Sequence, residues 1–173
     1  MEVYHTIQGE GSNTGMPACF IRLGGCDVGC HWCDVKESWN AEDHPRKTVE
    51  EIVREALGTS ARAAVITGGE PLMHDLTELT ALLRSHKIRT FLETSGAYPL
   101  TGSWDWICVS PKKFKPPLKE VLAMAQELKV VVYHPSDLAW AEEHAALVSR
   151  TCKLYLQPEW DRSDEMLPLI IQY

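Results

Sequence analysis

The chain alternates between two hydrophobic periods. Six short runs of aliphatic, β-branched and aromatic residues, at 18–23, 63–67, 88–92, 106–109, 129–133 and 153–156, have the length and composition of buried strands. Most of the intervals between them carry helix signals. Thr48 with Glu51 three residues later is a capping box, opening a helix that runs to about Leu57 and stops at Gly58. Asp75 and Glu78 open a second helix, in which Leu76, Leu79, Leu82 and Leu83 form one core-facing stripe. Pro117 suits the first turn of a third, continuing to about Leu128, and Ser136 caps a fourth that runs to about Val148. Residues 163–173 read as the start of an amphipathic helix with Met166, Leu167 and Ile170 apolar. Residues 4–15 and 34–46 read as polar loops, and 96–105 leave no room for a full helix.

This alternation predicts an α/β fold with a mostly parallel sheet of about six strands and helices outside it. Polar turns, two of them glycine-bearing, fall just after a strand's last apolar residue: Gly68-Gly69-Glu70-Pro71, Glu93-Thr94-Ser95-Gly96, Ser110-Pro111-Lys112 and Gln157-Pro158. Ligands bind beyond the carboxyl ends of parallel strands, so one edge of the sheet is expected to carry the site. At 173 residues and 45% hydrophobic, the chain is long enough for one core and reads as a single domain, 1–173. No apolar run approaches the length of a bilayer, and no basic start precedes an apolar block, so a soluble, cytoplasmic protein is expected. The net charge of -7 argues against a grip on nucleic acid, which needs a surplus of Lys and Arg, and favours a small-molecule substrate.

Candidate chemistry is concentrated in Cys26-Asp27-Val28-Gly29-Cys30-His31-Trp32-Cys33. Three thiolates at this spacing turn inward together only if the backbone curls tightly, which Gly24, Gly25 and Gly29 permit. Iron–sulfur clusters are usually held by four thiolates, so a 4Fe-4S cluster on this triplet would leave one iron open to a small molecule. The other reading of these residues is structural zinc, held by the three thiolates with His31 or with a fourth from Cys19, Cys108 or Cys152. Zinc knuckles, however, usually pair two short two-ligand clips, and here all three thiols lie in one run. Cys19, Cys108 and Cys152 stand in apolar runs, where a free thiol is a small hydrophobe. Arg22, inside a strand, needs a partner: a carboxylate-bearing ligand would serve, and a water-facing edge position is the alternative.

A C-x3-C-x2-C triplet is the signature of radical S-adenosylmethionine (SAM) enzymes, and its surroundings here resemble the 7-carboxy-7-deazaguanine synthase family. The residues that carry the resemblance are Thr6-Ile7-Gln8-Gly9-Glu10-Gly11, Phe20-Ile21-Arg22-Leu23, Trp32-Cys33-Asp34 with Trp39, Thr67-Gly68-Gly69-Glu70-Pro71, Leu92-Glu93-Thr94-Ser95-Gly96, Ser110-Pro111-Lys112 and Leu156-Gln157-Pro158. It extends to about residue 160 and implies a radical SAM core, a partial, incomplete TIM-like barrel with fewer helices than usual. It further implies a lyase of the queuosine pathway that makes a 7-deazapurine. A 5'-deoxyadenosyl radical removes hydrogen from C6 of 6-carboxy-5,6,7,8-tetrahydropterin, the ring contracts, and ammonia leaves.

On that resemblance Cys26, Cys30 and Cys33 hold the 4Fe-4S cluster, and Trp32, Asp34, Gly69, Glu70, Ser110, Pro111, Lys112, Gln157 and Pro158 bind SAM, Glu70 near its methionine amino group. Ile7, Gln8, Gly9, Arg22, Thr67 and Glu93 would bind the pterin, Arg22 at its carboxylate and Glu93 at its guanine-like N–H edge. The family is also expected to bring a flavodoxin or ferredoxin as one-electron reductant, and a homodimer. Two features depart from it. A magnesium-binding Thr or Ser usually follows Cys-Asp, but Val35 stands here and cannot ligate magnesium, leaving Lys36 as a substitute charge or Ser38 as a substitute oxygen. The family's chains also continue to a C-terminal substrate-binding segment with a His and a terminal carboxylate, so this sequence reads as a fragment lacking it, the alternative being a pocket completed differently. A glycyl-radical activase, another small radical SAM enzyme with the same triplet, is the alternative reading.

Overall fold

Period-two alternation in the strands gives the sheet two unlike faces. In the computed structural model, which describes residues 2–173, the strands are β1 (Glu2–Ile7), β2 (Pro17–Leu23), β3 (Ala63–Gly68), β4 (Arg89–Thr94), β5 (Trp106–Val109), β6 (Glu127–Val132) and β7 (Lys153–Pro158). The helices are α1 (Val49–Leu57), α2 (Thr77–Ser85), α3 (Lys119–Ala123), α4 (Ser136–Ala145) and α5 (Ser163–Gln172). All seven strands form one open sheet in sequence order; β1 is antiparallel to β2, and every other pair is parallel.

Cys19, Ile21, Ala64, Ile66, Leu92, Ile107, Val109, Leu128 and Val130 project from one face into the main core. Helices α1 to α4 close it with Val53, Ala56, Leu79, Leu83, Val121, Leu122 and Ala141. The opposite face is split along its length. Its lower half is a small apolar cluster of Ala18, Ala63, Val65 and Phe91 with Met16, Phe20 and Trp106 against it. Its upper half, toward the carboxyl ends of the parallel strands, is polar and lines a large cavity.

The capping box of α1 forms as its spacing predicts: Glu51 N–H donates to Thr48 Oγ1 at 3.2 Å, and Thr48 N–H donates to Glu51 Oε2 at 2.7 Å. Three assignments differ. Residues 4–7 belong to β1 rather than to a loop, making seven strands where six were expected. This edge strand pairs on one side only, from Glu2↔Arg22 to Ile7↔Pro17, and is too exposed to need an apolar run. The loop proper is 8–16, a hairpin connection in which Gly15 N–H meets the Gln8 carbonyl at 2.8 Å and Gln8 N–H the Met16 carbonyl at 2.9 Å. The third helix ends at Ala123, because Gln126 is already bound to β5: its N–H donates to the Ile107 carbonyl at 3.0 Å, and its side-chain oxygen accepts from Ile107 N–H at 2.7 Å. Helix α4 likewise stops at Ala145, short of Val148.

Candidate active site at the carboxyl ends of the strands

The segment after β2 is stitched to its neighbours through backbone. Gly25 N–H donates to the Ser38 carbonyl at 2.7 Å and Cys26 N–H to the Trp39 carbonyl at 3.1 Å. Beyond β3, Gly69 N–H reaches the Leu23 carbonyl at 3.0 Å and Glu70 N–H the Gly25 carbonyl at 2.8 Å. The approach is so close that a Cβ on Gly69 would lie 2.2 Å from the Gly25 oxygen and 2.9 Å from Cys26 Cβ. The curl is completed by Gly29 at φ +77, in the left-handed region that glycine enters freely.

Cys26, Cys30 and Cys33 all line one cavity of about 830 Å³ with residues from β1 to β4, β6 and β7 and from the turns that follow the strands. Burial pushes the Cys30 thiol up to about 11, the other two sulfurs adding to the rise and the Lys112 ammonium opposing it. Cys26 is raised too, by burial first and then by the charges of Glu70 and Cys33. Such thiols ionise when iron binds, since metal binding displaces the proton. Cys19 and Cys152 are in the main core, Cys108 is buried in β5, and none of them lines the cavity. His31 stands edge-on to Tyr133 and Phe114, its ring centroids 4.9 and 5.5 Å from theirs, and lines a separate hollow of about 210 Å³. Among the described residues no three His, Cys, Asp or Glu side chains converge on a single-ion position. Three thiols on one cavity, with neither His31 nor a fourth cysteine lining it, are the donor set that a 4Fe-4S cluster with one open iron would take.

Of the residues assigned to SAM, Trp32, Asp34, Gly69, Glu70, Ser110, Lys112, Gln157 and Pro158 line the same cavity; Pro111 lines the smaller hollow instead. The Lys112 ammonium donates to the Ser110 carbonyl at 2.7 Å and to its hydroxyl at 2.6 Å, and lies 5.7 Å from the centre of the Trp32 ring. Burial pulls its pKa down, with the thiolate of Cys30 acting the other way. Glu70 is 1% exposed and its carboxylate serves the protein itself. One oxygen accepts from Leu72 N–H at 3.0 Å and Thr94 Oγ1 at 2.5 Å, the other from Ser95 N–H at 2.8 Å and Ser95 Oγ at 2.5 Å. Four donors fill a carboxylate's acceptor sites, so this side chain ties the turn after β3 to the end of β4.

The residues assigned to substrate, Ile7, Gln8, Gly9, Arg22, Thr67 and Glu93, also line the cavity. Both readings of Arg22 prove incomplete. It lines the cavity, yet its partners are in the chain, Glu2 at 2.8 Å through Nε and the Tyr4 hydroxyl at 3.1 Å through Nη2. Glu93 accepts from Gln8 Nε2 at 3.0 Å on one oxygen and from Lys129 Nζ at 3.2 Å on the other. Near Val35, Ser38 lines the cavity and donates its hydroxyl hydrogen to the Val35 carbonyl at 2.6 Å; Lys36 is exposed and lines no part of it.

Lys129 and Glu10 were missed as site residues. The Lys129 ammonium lies 2.5 Å from Glu10 Oε2, and Gln157 Nε2 donates to Glu10 Oε1 at 3.0 Å. Burial opposes the charge on Lys129, but Glu93, Cys108 and Glu10 outweigh it and raise its pKa. Burial likewise works against an ionised Glu10, while the charge and hydrogen bond of Lys129 prevail and hold its carboxyl below the ordinary value. The signal was present in Glu127-Leu128-Lys129-Val130: charges at period two in an apolar strand share one face, opposite the core residues between them.

The profile of the radical SAM superfamily matches residues 20–134. A 7-carboxy-7-deazaguanine synthase from Flavobacterium psychrophilum is 54% identical over 173 residues, covering 100% of this chain and 82% of that protein. One from Synechocystis sp. is 52% identical over 160 residues, 92% of this chain and 77% of that protein. The crystal structure of QueE from Escherichia coli is similar with a TM-score of 0.82 and 33% identity, covering 99% of this chain and 88% of that one.

Proposed function

The chain belongs to the 7-carboxy-7-deazaguanine synthase family of the radical SAM superfamily, and from that membership we propose how its residues divide the work. The protein is a radical SAM lyase of queuosine biosynthesis, converting 6-carboxy-5,6,7,8-tetrahydropterin to 7-carboxy-7-deazaguanine. When bound, the 4Fe-4S cluster and SAM supply the one-electron chemistry that yields a hydrogen-abstracting radical.

Cys26, Cys30 and Cys33 hold the cluster, leaving one iron for SAM. Trp32, Asp34, Gly69, Ser110, Lys112, Gln157 and Pro158 form the SAM side, and Glu70 positions the turn that carries Gly69. Ser110 orients the Lys112 ammonium, which contributes positive charge beside the cysteine loop. Across the cavity, Arg22 meets the pterin carboxylate; its Nη1 takes part in neither of the bonds to Glu2 and Tyr4. Glu93 accepts from the pterin's N–H edge, with Ile7, Gln8, Gly9 and Thr67 beside it. Magnesium, if bound, takes its protein oxygen from Ser38, the one of the two substitutes that lines the cavity. A flavodoxin or ferredoxin as electron donor, and a homodimer, complete the proposal.

The observation that carries the reading is one cavity holding three thiols of a single loop together with Arg22 and Glu93. The test is anaerobic reconstitution with iron and sulfide, reduction, and addition of SAM and 6-carboxytetrahydropterin. Formation of 5'-deoxyadenosine and the deazaguanine together is the expected result. Deoxyadenosine without the deazaguanine would overturn the substrate assignment. A protein that holds zinc and assembles no cluster would overturn the whole.

A further inference from the structure

Loop 8–16 reaches across this face of the sheet from β1 to β6 and β7, and it is attached there at several points. Ser12 N–H donates to Glu127 Oε2 at 3.0 Å, the Ser12 and Tyr155 hydroxyls are 3.1 Å apart, and Gln157 holds Glu10. Lys129 adds to this clasp through Glu10, but it also does something the clasp does not need: it binds Glu93 on the facing side. The Lys129 side chain is 10% exposed and that of Glu93 19%, so both charges have left most of their water for this arrangement. A charged pair of this kind demands partners, and breaking one arm is costly.

We propose that Lys129 is the specificity-determining positioning residue of this cavity: with Gln8 it locks the Glu93 carboxylate edge-on, so that the site selects ligands presenting two parallel N–H donors. The inference rests on the substrate reading above. Gln8 and Lys129 approach different oxygens, which fixes the plane of the carboxylate. A carboxylate has about four acceptor sites, so each oxygen keeps one for a ligand. A ring with an amino group beside a ring N–H fills both. A ring with a carbonyl in place of the amino group sets oxygen against oxygen and leaves a half-buried acceptor unpaired, which is the stronger basis for rejection. Without Lys129 the carboxylate loses its counter-ion and turns about its own bond, and the two ligands come to look alike.

The test compares 6-carboxypterin with 6-carboxylumazine, which carries a carbonyl where the pterin carries its amino group. Dissociation constants are measured by calorimetry on cluster-reconstituted protein, wild type, Lys129→Met, Lys129→Arg and Glu10→Gln. The wild type is expected to favour the pterin by at least about tenfold, the scale of one charge-assisted hydrogen bond. Lys129→Met should bring that ratio close to one, and Lys129→Arg should keep most of it. Glu10→Gln, which removes the other ion partner of Lys129 but keeps the Lys129–Glu93 pair, should weaken both ligands together. Should Lys129→Met fail to fold, Lys129→Gln is judged by the same ratio. If the lysine variants bind both ligands more weakly but keep the wild-type ratio, Lys129 is only a brace and the inference fails while the substrate reading stands. If the wild type binds neither ligand, the substrate reading fails and takes the inference with it.

Discussion

The two walls of the cavity are built by different means. On the cluster side, the cysteine loop is joined to residues 38–39 and to the turn after β3 by backbone hydrogen bonds, with Gly69 allowing the closest approach. On the substrate side, Gln8, Glu10, Glu93 and Lys129 hold one another by side chains, and Gln157 of the SAM side is joined to them through Glu10. Backbone bonds tolerate a change of side chain so long as it fits. Charge networks do not, because a buried ion left without its partner has lost its water for nothing. The cluster wall should therefore be sensitive to shape and thiol content, and the substrate wall to charge and pH.

Removing a thiol breaks the comparison most completely. Cys30→Ala should leave two cluster ligands and reduce product formation below detection, with iron content falling and secondary structure, followed by circular dichroism, unchanged. Gly69→Ala comes next. Its Cβ would sit 2.2 Å from a backbone oxygen rather than a movable side chain, and denaturant unfolding of the cluster-free protein should show a loss of about 1–3 kcal/mol. Glu70→Gln probes a buried charge on the cluster side. An amide nitrogen would face either Ser95 or the Leu72 and Thr94 donors, leaving a buried donor unpaired at a cost of about 1–3 kcal/mol in the same measurement.

The smallest effect sharpens the contrast. Because the Glu10 carboxyl is held below its ordinary 4.5, its contribution to stability is present above that pH and is lost as pH falls through the lower, folded value. Glu10 is about half exposed, so Glu10→Gln should cost less than about 1 kcal/mol at neutral pH. The difference between wild type and variant should shrink on acidification below 4.5, as read from melting temperature against pH. A difference that grew instead would mean that Glu10 is held as a neutral acid.

Legibility followed the same division. The cysteine loop, the glycine-rich turn after β3 and the capping box of α1 are local patterns, each specified within a few residues, and each forms where its spacing places it. Edge strand β1 was not legible, because a strand with one neighbour and an exposed surface needs no hydrophobic run. The end of α3 was not legible either: Val121, Leu122, Ala125 and Leu128 satisfy a helical period, and pairing of β5 with β6 overrides it from Glu127 onward. The role of Glu70 was readable only as membership of a motif; its four donors come from two segments, the turn after β3 and the end of β4, that meet in the fold.

By itself the sequence determined the order of the helices and of the six strands from β2 onward, the three-cysteine loop, the edge of the sheet where the cavity lies and, by resemblance, the family of the reaction. The elements rest on periodicity and the loop on spacing within one short segment, whereas the family rests on a resemblance carried by motifs along most of the chain. Only the tertiary structure decided that Arg22 is paired with Glu2, that Glu70 is a brace, that Lys36 lies outside the cavity and that Lys129 joins Glu10 to Glu93. The reason is physical: a charge in a strand advertises that it needs a partner, but which partner depends on which distant residues the sheet brings within hydrogen-bond reach.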